Sequence, residues 1–517
     1  MAQPFEIPEI LCLICQYARR SDLARLISTS RVFFDCALPF VWNSLPKNSP
    51  IILMKLLPGG DEYLENNSSV TASRPLEAQS LVRFNFYAPH VKRLALVQSL
   101  QGSQGEVTWD RLLGLIDARP VLPNLEVLDT FVSTFREDGS PDPVSLIGVH
   151  LSSTLVQINN VEDMHPFARS PILYQLVWKI AQECPRINSL RLRGMSGPVG
   201  GDSRELGNSL AQLCNLRVLG LGPVALTPEV LTTIGSLANL ETLEISERSY
   251  FEMSTNPALA NFILPHESFP ALRRINIDLR IAFELLELIW SIPSLVRRLT
   301  SVSLLGTDIV DYPRVCNLVQ AIHENSPFVS DLDFDFRCAW YHRGLLRTDF
   351  VDCLAQLPLR RLHIAEQDNI SDDQHFGGQQ LALAFPNMED LKISGLDFTF
   401  EDLTFIARHM PRLQLLSVSI RMSPDWPSMH KIPSPPPTPS PSQLCFRFPD
   451  SSSMSALSES TSSSVVERIA VGLHALWPNG VTCASDQIPT NDSKSLADGV
   501  NAMIRWLREA EGRSSQN

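Results

Sequence analysis

The sequence predicts an α/β repeat array, with a parallel sheet on a concave face and helices on a convex face, behind a small all-α domain. Three observations predict it. A six-residue pattern, apolar-x-x-apolar-x-apolar, recurs from about residue 82 nearly to the end of the 517-residue chain. The runs between its copies carry apolar residues at helical spacing. Residues 5–45 form a dense apolar block with helix signals of its own.

Clear copies include Val91-Lys92-Arg93-Leu94-Ala95-Leu96, Leu216-Arg217-Val218-Leu219-Gly220-Leu221 and Leu359-Arg360-Arg361-Leu362-His363-Ile364. The copies centre on residues 94, 128, 158, 190, 219, 243, 275, 302, 332, 362, 391 and 416, a mean step of about 29 residues. Each copy ends in strict alternation, as a strand with one buried face does. Between copies, Thr227-Pro228-Glu229 offers a capping hydroxyl and a first-turn proline. Val230, Leu231 and Ile234 then make an apolar stripe. Phe283, Leu285, Leu286, Leu288 and Ile289 make another, as do Leu318, Val319 and Ile322, and Phe350, Val351 and Leu354. One strand and one helix cannot bury their apolar faces alone, but stacked neighbours can. A doubly wound α/β domain also alternates strands and helices, but twelve near-copies at one period fit a solenoid. The copies resemble leucine-rich repeats of the long, irregular kind, although the Asn or Cys expected shortly after the motif is mostly missing.

Residues flanking each central apolar position should face outward. The expected open face shows Arg93; Arg191 and Arg193; Thr242 and Glu244; and Arg274, Asn276 and Asp278. Asp331, Asp333 and Asp335, then Arg361, His363, Asp390 and Lys392, continue it. A polar face of alternating sign suits a protein partner of complementary charge. Arg191, Arg193, Arg274, Asp331, Asp333, Asp335, Arg361 and His363 are therefore the expected substrate contacts. Three carboxylates on one strand repel one another, which invites a basic partner or a cation. No further ligands accompany them at metal-site spacing.

In residues 5–45, Pro8 suits a helix start, followed by Ile10, Leu11, Ile14 and Ala18. Ser21-Asp22 would cap a second helix carrying Leu23, Leu26 and Ile27. Arg31–Leu38 would be a third, closed by Pro39 and followed by Phe40, Val41 and Trp42. So small a block buries little and often needs a partner. It resembles an F-box in Ile7-Pro8-Glu9-Ile10-Leu11, Asp22-Leu23, Ser30-Arg31-x-Phe33 and Val41-Trp42. Ser30 departs from the cysteine usual in that family. An F-box ahead of leucine-rich repeats resembles the substrate receptors of Skp–cullin–F-box ubiquitin ligases, particularly fungal sets. The resemblance implies a non-catalytic subunit: the helices dock on the Skp adaptor and through it a cullin, while the repeats hold a protein substrate. It places Ile7, Pro8, Ile10, Leu11, Leu23 and Trp42 at the adaptor surface. The alternative is a repeat scaffold with no ubiquitin link, the helices serving as an end cap.

Composition narrows the classes. Forty-three Lys and Arg against 56 Asp and Glu give a net charge of −13, which argues against nucleic acid as partner. No basic leader precedes an apolar run, and no stretch of about 18 apolar residues exists, so neither secretion nor a membrane partner is expected. The ten scattered cysteines then read as reduced thiols of a cytoplasmic or nuclear protein. Cys12-x-x-Cys15 lies within an apolar helix with no second Cys/His pair. Gly201-Asp202-Ser203 has no patterned His or Asp partner, and the Gly-Gly pairs at 59–60, 200–201 and 377–378 lack a phosphate-loop lysine. No enzymatic activity, cofactor or metal is expected.

The expected division is a three-helix domain over 1–45, a linker over 46–81, the array over 82–422, a disordered Pro/Ser-rich insertion over 423–464 and a C-terminal repeat or capping helices over 465–517. In the insertion 23 of 42 residues are Pro or Ser, with room for a strand at 443–448. Ser434, Thr438 and Ser440 each precede proline, as a proline-directed kinase requires.

Overall fold

The structure is a computed structural model. It describes residues 7–46, 48–61, 81–98, 112–113, 115–116, 120–132, 147–160, 171–192, 203–247, 262–279, 283–306, 312–336, 348–365, 378–422, 426–428, 440, 442–448, 463–485 and 491–514. They fall in two compact units, residues 1–249 with 256–272, and residues 250–255 with 273–517.

The first unit begins with helices α1 (Pro8–Tyr17), α2 (Arg20–Leu26) and α3 (Arg31–Trp42). Pro8 needs no donor in the first turn of α1. Ser30 caps α3, its hydroxyl accepting from the Phe33 amide at 3.3 Å. Leu11, Cys15, Leu23, Cys36 and Ala37 form the core of the block, with Phe33, Phe40 and Val41 packed against it. Two local expectations are corrected. Helix α2 starts at Arg20, so Ser21 and Asp22 sit in its first turn and neither caps it; the Asp22 carboxylate still favours the positive end of the helix. Pro39 lies inside α3 and does not end it, because Phe40 and Val41 beyond it return to the core and that burial outweighs one missing bond.

Strands β1 (Ser44–Leu45), β2 (Arg93–Gln98), β3 (Val127–Val132), β4 (Gln157–Asn160), β5 (Ser189–Arg191), β6 (Val218–Leu221) and β7 (Thr242–Glu247) follow. Each pairs in parallel with its predecessor. The register sets Leu45, Leu94, Leu128, Ile158, Leu190, Leu219 and Leu243 opposite one another in one row. All are buried, and full burial of one such side chain is worth roughly 1.5–3 kcal/mol. Helices α4 (Ser49–Met54), α5 (Val82–Tyr87), α6 (Pro171–Glu183), α7 (Ser203–Leu210) and α8 (Pro228–Gly235) lie between the strands in sequence. The segment expected as a linker thus contains α4, whose Leu53 and Met54 are fully buried. Trp42 packs against Tyr87 of α5, the rings tilted by 32° with centroids 4.5 Å apart, and β1 joins β2, so the helical block is welded to the first repeat.

The second unit repeats the scheme. Its strands are β8 (Arg274–Leu279), β9 (Ser301–Gly306), β10 (Asp331–Phe336), β11 (Arg361–Ala365), β12 (Asp390–Phe398), β13 (Leu415–Ile420), β14 (Leu444–Phe448) and β15 (Val481–Ser485). Ile275, Val302, Leu332, Leu362, Leu391, Leu416, Phe446 and Cys483 form its buried row. Its helices are α9 (Phe283–Trp290), α10 (Pro293–Val296), α11 (Tyr312–Asn325), α12 (Thr348–Leu354), α13 (Gly378–Ala384), α14 (Phe400–His409), α15 (Ser463–Leu476) and α16 (Asn491–Ser514). Parallel strands in sequence order, helices between most of them among the described residues and one buried residue per strand in register define a leucine-rich-repeat fold.

Two kinds of hydrogen bond join successive repeats. Just before a strand, two consecutive amides donate to one carbonyl of the preceding repeat, as Glu126 and Val127 do to Lys92 and Gln414 and Leu415 do to Glu389. Side chains ahead of the motif reach back as well. The carboxamides of Asn124, Asn215 and Asn239 donate to the carbonyls of Pro89, Pro185 and Cys214 at 2.8–3.1 Å. Thr154, in the equivalent place, donates to Pro123 and Leu125. These residues precede the motif and not follow it, which is why an asparagine search downstream finds little. Thr227, expected to cap α8, instead donates to the Val224 carbonyl at 3.0 Å.

The Pro/Ser-rich stretch is anchored. Trp426 is buried against Phe400 and donates to the Arg421 carbonyl at 2.9 Å. Ser440 is buried too, its amide bonded to the Leu476 carbonyl at 2.7 Å and its hydroxyl 2.9 Å from that of Ser442. Ser440 is therefore closed to a kinase in this fold; Ser434 and Thr438 lie outside the described residues. Helix α16 covers β15. Asn501 donates to the Cys483 carbonyl and accepts from the Cys483 amide, both at 2.8 Å.

Candidate functional site

Outward positions on the strands of the first unit form one continuous polar network. Arg93 donates to Asp129 at 2.7 Å, and Asn159 donates to the other Asp129 oxygen at 2.8 Å. The Asn159 side-chain oxygen Oδ1 accepts from Gln157 and from Arg191 at 2.9 and 3.0 Å. Arg191 also binds the Ser189 hydroxyl, and its Nε lies 3.0 Å from both Glu244 oxygens. Arg191 is on β5 and Glu244 on β7, with Gly220 of β6 between them. A Cβ on Gly220 would stand 3.2 Å from Arg191 Cγ and 3.3 Å from a Glu244 oxygen. The missing side chain lets the pair meet across a strand. Asp129 and Glu244 are buried, and Arg191 is 25 % exposed. Charges so placed saturate one another. Arg191, expected among the substrate contacts, has its guanidinium held by the protein's own carboxylate and amide groups. Arg193 lies outside the described residues.

In the second unit the acidic strand meets its complement next door. Asp331 pairs with Arg361 at 3.5 Å, and His363 Nδ1 lies 2.7 Å from Asp333. Ser303, on the other flank, donates to Asp333 at 3.1 Å. Two of the three carboxylates, Asp331 and Asp333, are thus answered by β11, while Asp335 stands opposite Ala365. Among the described residues no group of three His, Cys, Asp or Glu side chains is arranged to hold a metal ion. Ser303 and His363 both engage the carboxylate and not each other, so no nucleophile is activated there. Burial pushes the Asp390 carboxyl up from its ordinary value, against the pull of Arg361, Arg447 and His363. Arg274 and Arg361 remain exposed, while Asp331, Asp333, Asp335 and His363 are half-buried. This face is the more open to a partner of the two.

The helical block divides the residues expected at an adaptor surface. Pro8 and Ile10 are exposed and Ile7 is half-buried. Leu11 and Leu23, expected at the same surface, are core residues, 0 and 3 % exposed. Trp42 is half-buried and engaged with Tyr87. The outward face of α1 instead carries Ile10, Leu13, Ile14 and Tyr17, exposed by 37, 57, 41 and 85 %. Their i, i+3, i+4, i+7 spacing makes one apolar stripe. No other described helix exposes more than two large apolar side chains. Leu13 and Tyr17 were missed because α1 is apolar nearly all round, and spacing alone does not say which side is covered.

Cys12 and Cys15 do not make a metal pair: Cys12 is exposed and Cys15 buried, with Cys36 across from them on α3. Burial pushes the Cys36 thiol up to about 11, helped by a hydrogen bond with Cys12. Burial likewise raises Cys184 to about 11 and Cys483 to about 12. Only thiolates react quickly. At pH 8 a disulfide reagent is expected to modify Cys12 and Cys214 within minutes and Cys184 and Cys483 only after unfolding. Peptide mass spectrometry reads the order, and Cys184 reacting as fast as Cys214 would contradict this packing.

No protein-family model matches the chain, and no curated protein matches it in sequence. It is similar to an internalin, InlF, from Listeria monocytogenes at 15 % identity and a TM-score of 0.28, over 62 % of this chain and 85 % of that one. It is similar to the leucine-rich-repeat-containing protein LegL7 from Legionella pneumophila at 13 % identity and a TM-score of 0.34, over 73 and 96 %. A third similarity is to TLR13 in its complex with ssRNA13, at 11 % identity and a TM-score of 0.32. The match covers 71 % of this chain and 47 % of TLR13. Among the described residues no helix is long and apolar enough to cross a membrane.

Proposed function

We propose that the chain is a non-catalytic substrate receptor of a Skp–cullin–F-box-type ubiquitin ligase. The observation that carries this reading is the apolar stripe Ile10, Leu13, Ile14 and Tyr17 on α1. It lies within the segment whose sequence resembles an F-box, and an exposed i, i+3, i+4, i+7 stripe is what a helix-packing partner engages. The partner is the Skp adaptor. The repeats present the substrate-binding surface, and the open face of the second unit supplies its charge. Ubiquitin transfer belongs to the other subunits, and the cell compartment follows the ligase, cytoplasm or nucleus.

A second reading has its own support. Leu11 and Leu23 lie in the core, and Trp42 joins the block to the first repeat. Three of the six motif residues thus serve the chain's own fold, as an end cap would. On that reading the chain is a protein-interaction scaffold without a ubiquitin link.

Adaptor capture separates the two. The full chain is expected to retain purified Skp adaptor in a pulldown, and Leu13→Glu with Tyr17→Glu to reduce retention at least tenfold with an unchanged circular dichroism spectrum. Both positions are exposed, so the repeats should fold. No retention by the unmodified chain, or full retention by the double variant, refutes the ligase reading.

A further inference from the structure

We propose that a groove at the N-terminal ends of β13, β14 and β15 binds an oxyanion, the carboxylate or phosphate group of a small ligand or peptide. The groove has a volume of about 810 Å³. Leu444 and Cys445 line it together with Arg412, Gln414, Gln443, Thr482 and Arg508.

The groove exists because the ladder of paired amides breaks there. From β8 to β13 each step places two consecutive amides on one carbonyl of the preceding repeat: Thr300 and Ser301 on Arg273, Ser330 and Asp331 on Thr300, Arg360 and Arg361 on Ser330, Glu389 and Asp390 on Arg360, Gln414 and Leu415 on Glu389. The next step divides. Cys445 donates to Gln414 at 2.7 Å, but Leu444 turns away and donates to Gly480 at 2.8 Å. Gly480 has φ +154°, and a Cβ there would meet Gln443 at 3.3 Å. Glycine at this position lets the forked backbone form without strain.

The charges at the opening point to an anion. Arg412 is exposed, and no carboxylate lies within 4 Å of it among the described residues. Arg508 is half-buried; it contacts the Val481 carbonyl at 3.4 Å, while its Nε is buried without a hydrogen-bond partner. Glu389, the acid of the lining, is already paired with Arg360 at 3.7 Å. Three strand arginines, by contrast, have acids: Arg93 has Asp129, Arg191 has Glu244 and Arg361 has Asp331. A guanidinium fork with free donors selects planar or tetrahedral oxyanions. The surrounding carboxamides and the Thr482 hydroxyl supply donors for the remaining oxygens.

Isothermal titration of the full chain with two probes, tricarballylate and inorganic pyrophosphate at constant ionic strength, tests this. At least one probe is expected to bind with a submillimolar Kd. Binding by tricarballylate alone identifies a carboxylate site, and by pyrophosphate alone a phosphate site. Arg412→Ala, at an exposed position, should weaken binding at least tenfold, and Arg508→Gln should do the same with its melting temperature recorded alongside. Arg217→Ala, on the other unit, should leave Kd unchanged. No heat with either probe, or equal Kd in the Arg412→Ala chain, overturns the proposal. None of these outcomes bears on adaptor capture by α1.

Discussion

Arg191→Ala should be among the most destabilising single changes at a polar position, costing about 2–4 kcal/mol. The variant leaves Glu244, whose side chain is 5 % exposed, without its guanidinium. It also removes donors from Asn159 and Ser189. An alanine cavity at that place is shallow, so the loss is electrostatic and not one of packing. Adding Glu244→Gln to Arg191→Ala should therefore recover part of the stability, because a neutral amide costs less to bury than a carboxylate that has lost its guanidinium. Urea denaturation, followed by circular dichroism, measures both. If Arg191→Ala falls within about 0.5 kcal/mol of the parent, as surface changes do, the network is not structural and Arg191 returns as a candidate contact.

Gly378→Ala should cost a comparable amount, about 2–4 kcal/mol, through backbone crowding. The new Cβ would lie 2.6 Å from Asp402 Cβ, 2.9 Å from its Cα and 3.0 Å from its carbonyl oxygen. Two of the three obstacles are backbone atoms, which cannot swing aside. The Gly378 amide also donates to Asp402 Oδ1 at 2.6 Å. That carboxylate is the return arm of the capping box with Thr399 at the start of α14. One methyl group thus pushes α13 off α14 and disturbs a cap together. Thr399→Ala removes only the outgoing arm and should cost about 1 kcal/mol. Fluorescence of the buried Trp290, Trp426 and Trp477 reports unfolding of this unit. Equal losses for the two variants would show that the cap, and not the close approach, governs this contact.

The repeat fold was legible because each strand must bury one central side chain, and Leu, Ile or Val there leaves a mark at a steady period. All twelve central positions appear in the two buried rows. Strand β15 escaped because Cys483 and Ser485 stand in register with Phe446 and Phe448, where the pattern asks for large apolar residues, and β1 because two residues make no pattern. The open face was harder. Spacing identifies neighbours along one strand, so the Asp331, Asp333 and Asp335 row was visible, but the answering Arg361 and His363 require register. The Arg191–Glu244 pair, 53 residues and two strands apart, depends on an intervening glycine that carries no signal of its own. In α1, Leu11 and Leu13 are equally apolar, and only the position of α3 decides that the first is enclosed and the second is not.

The carboxamide of Asn501 has a consequence beyond its own two bonds. A parallel sheet ends in a row of bare donors and acceptors, which is a template for recruiting further chains into fibrous aggregates. At β15 one asparagine from the last helix occupies both groups of Cys483, so self-assembly by strand donation finds no foothold at that rim. Keeping the molecule discrete there falls to side chains of one helix, Asn501 on Cys483 and Arg508 on the Val481 carbonyl.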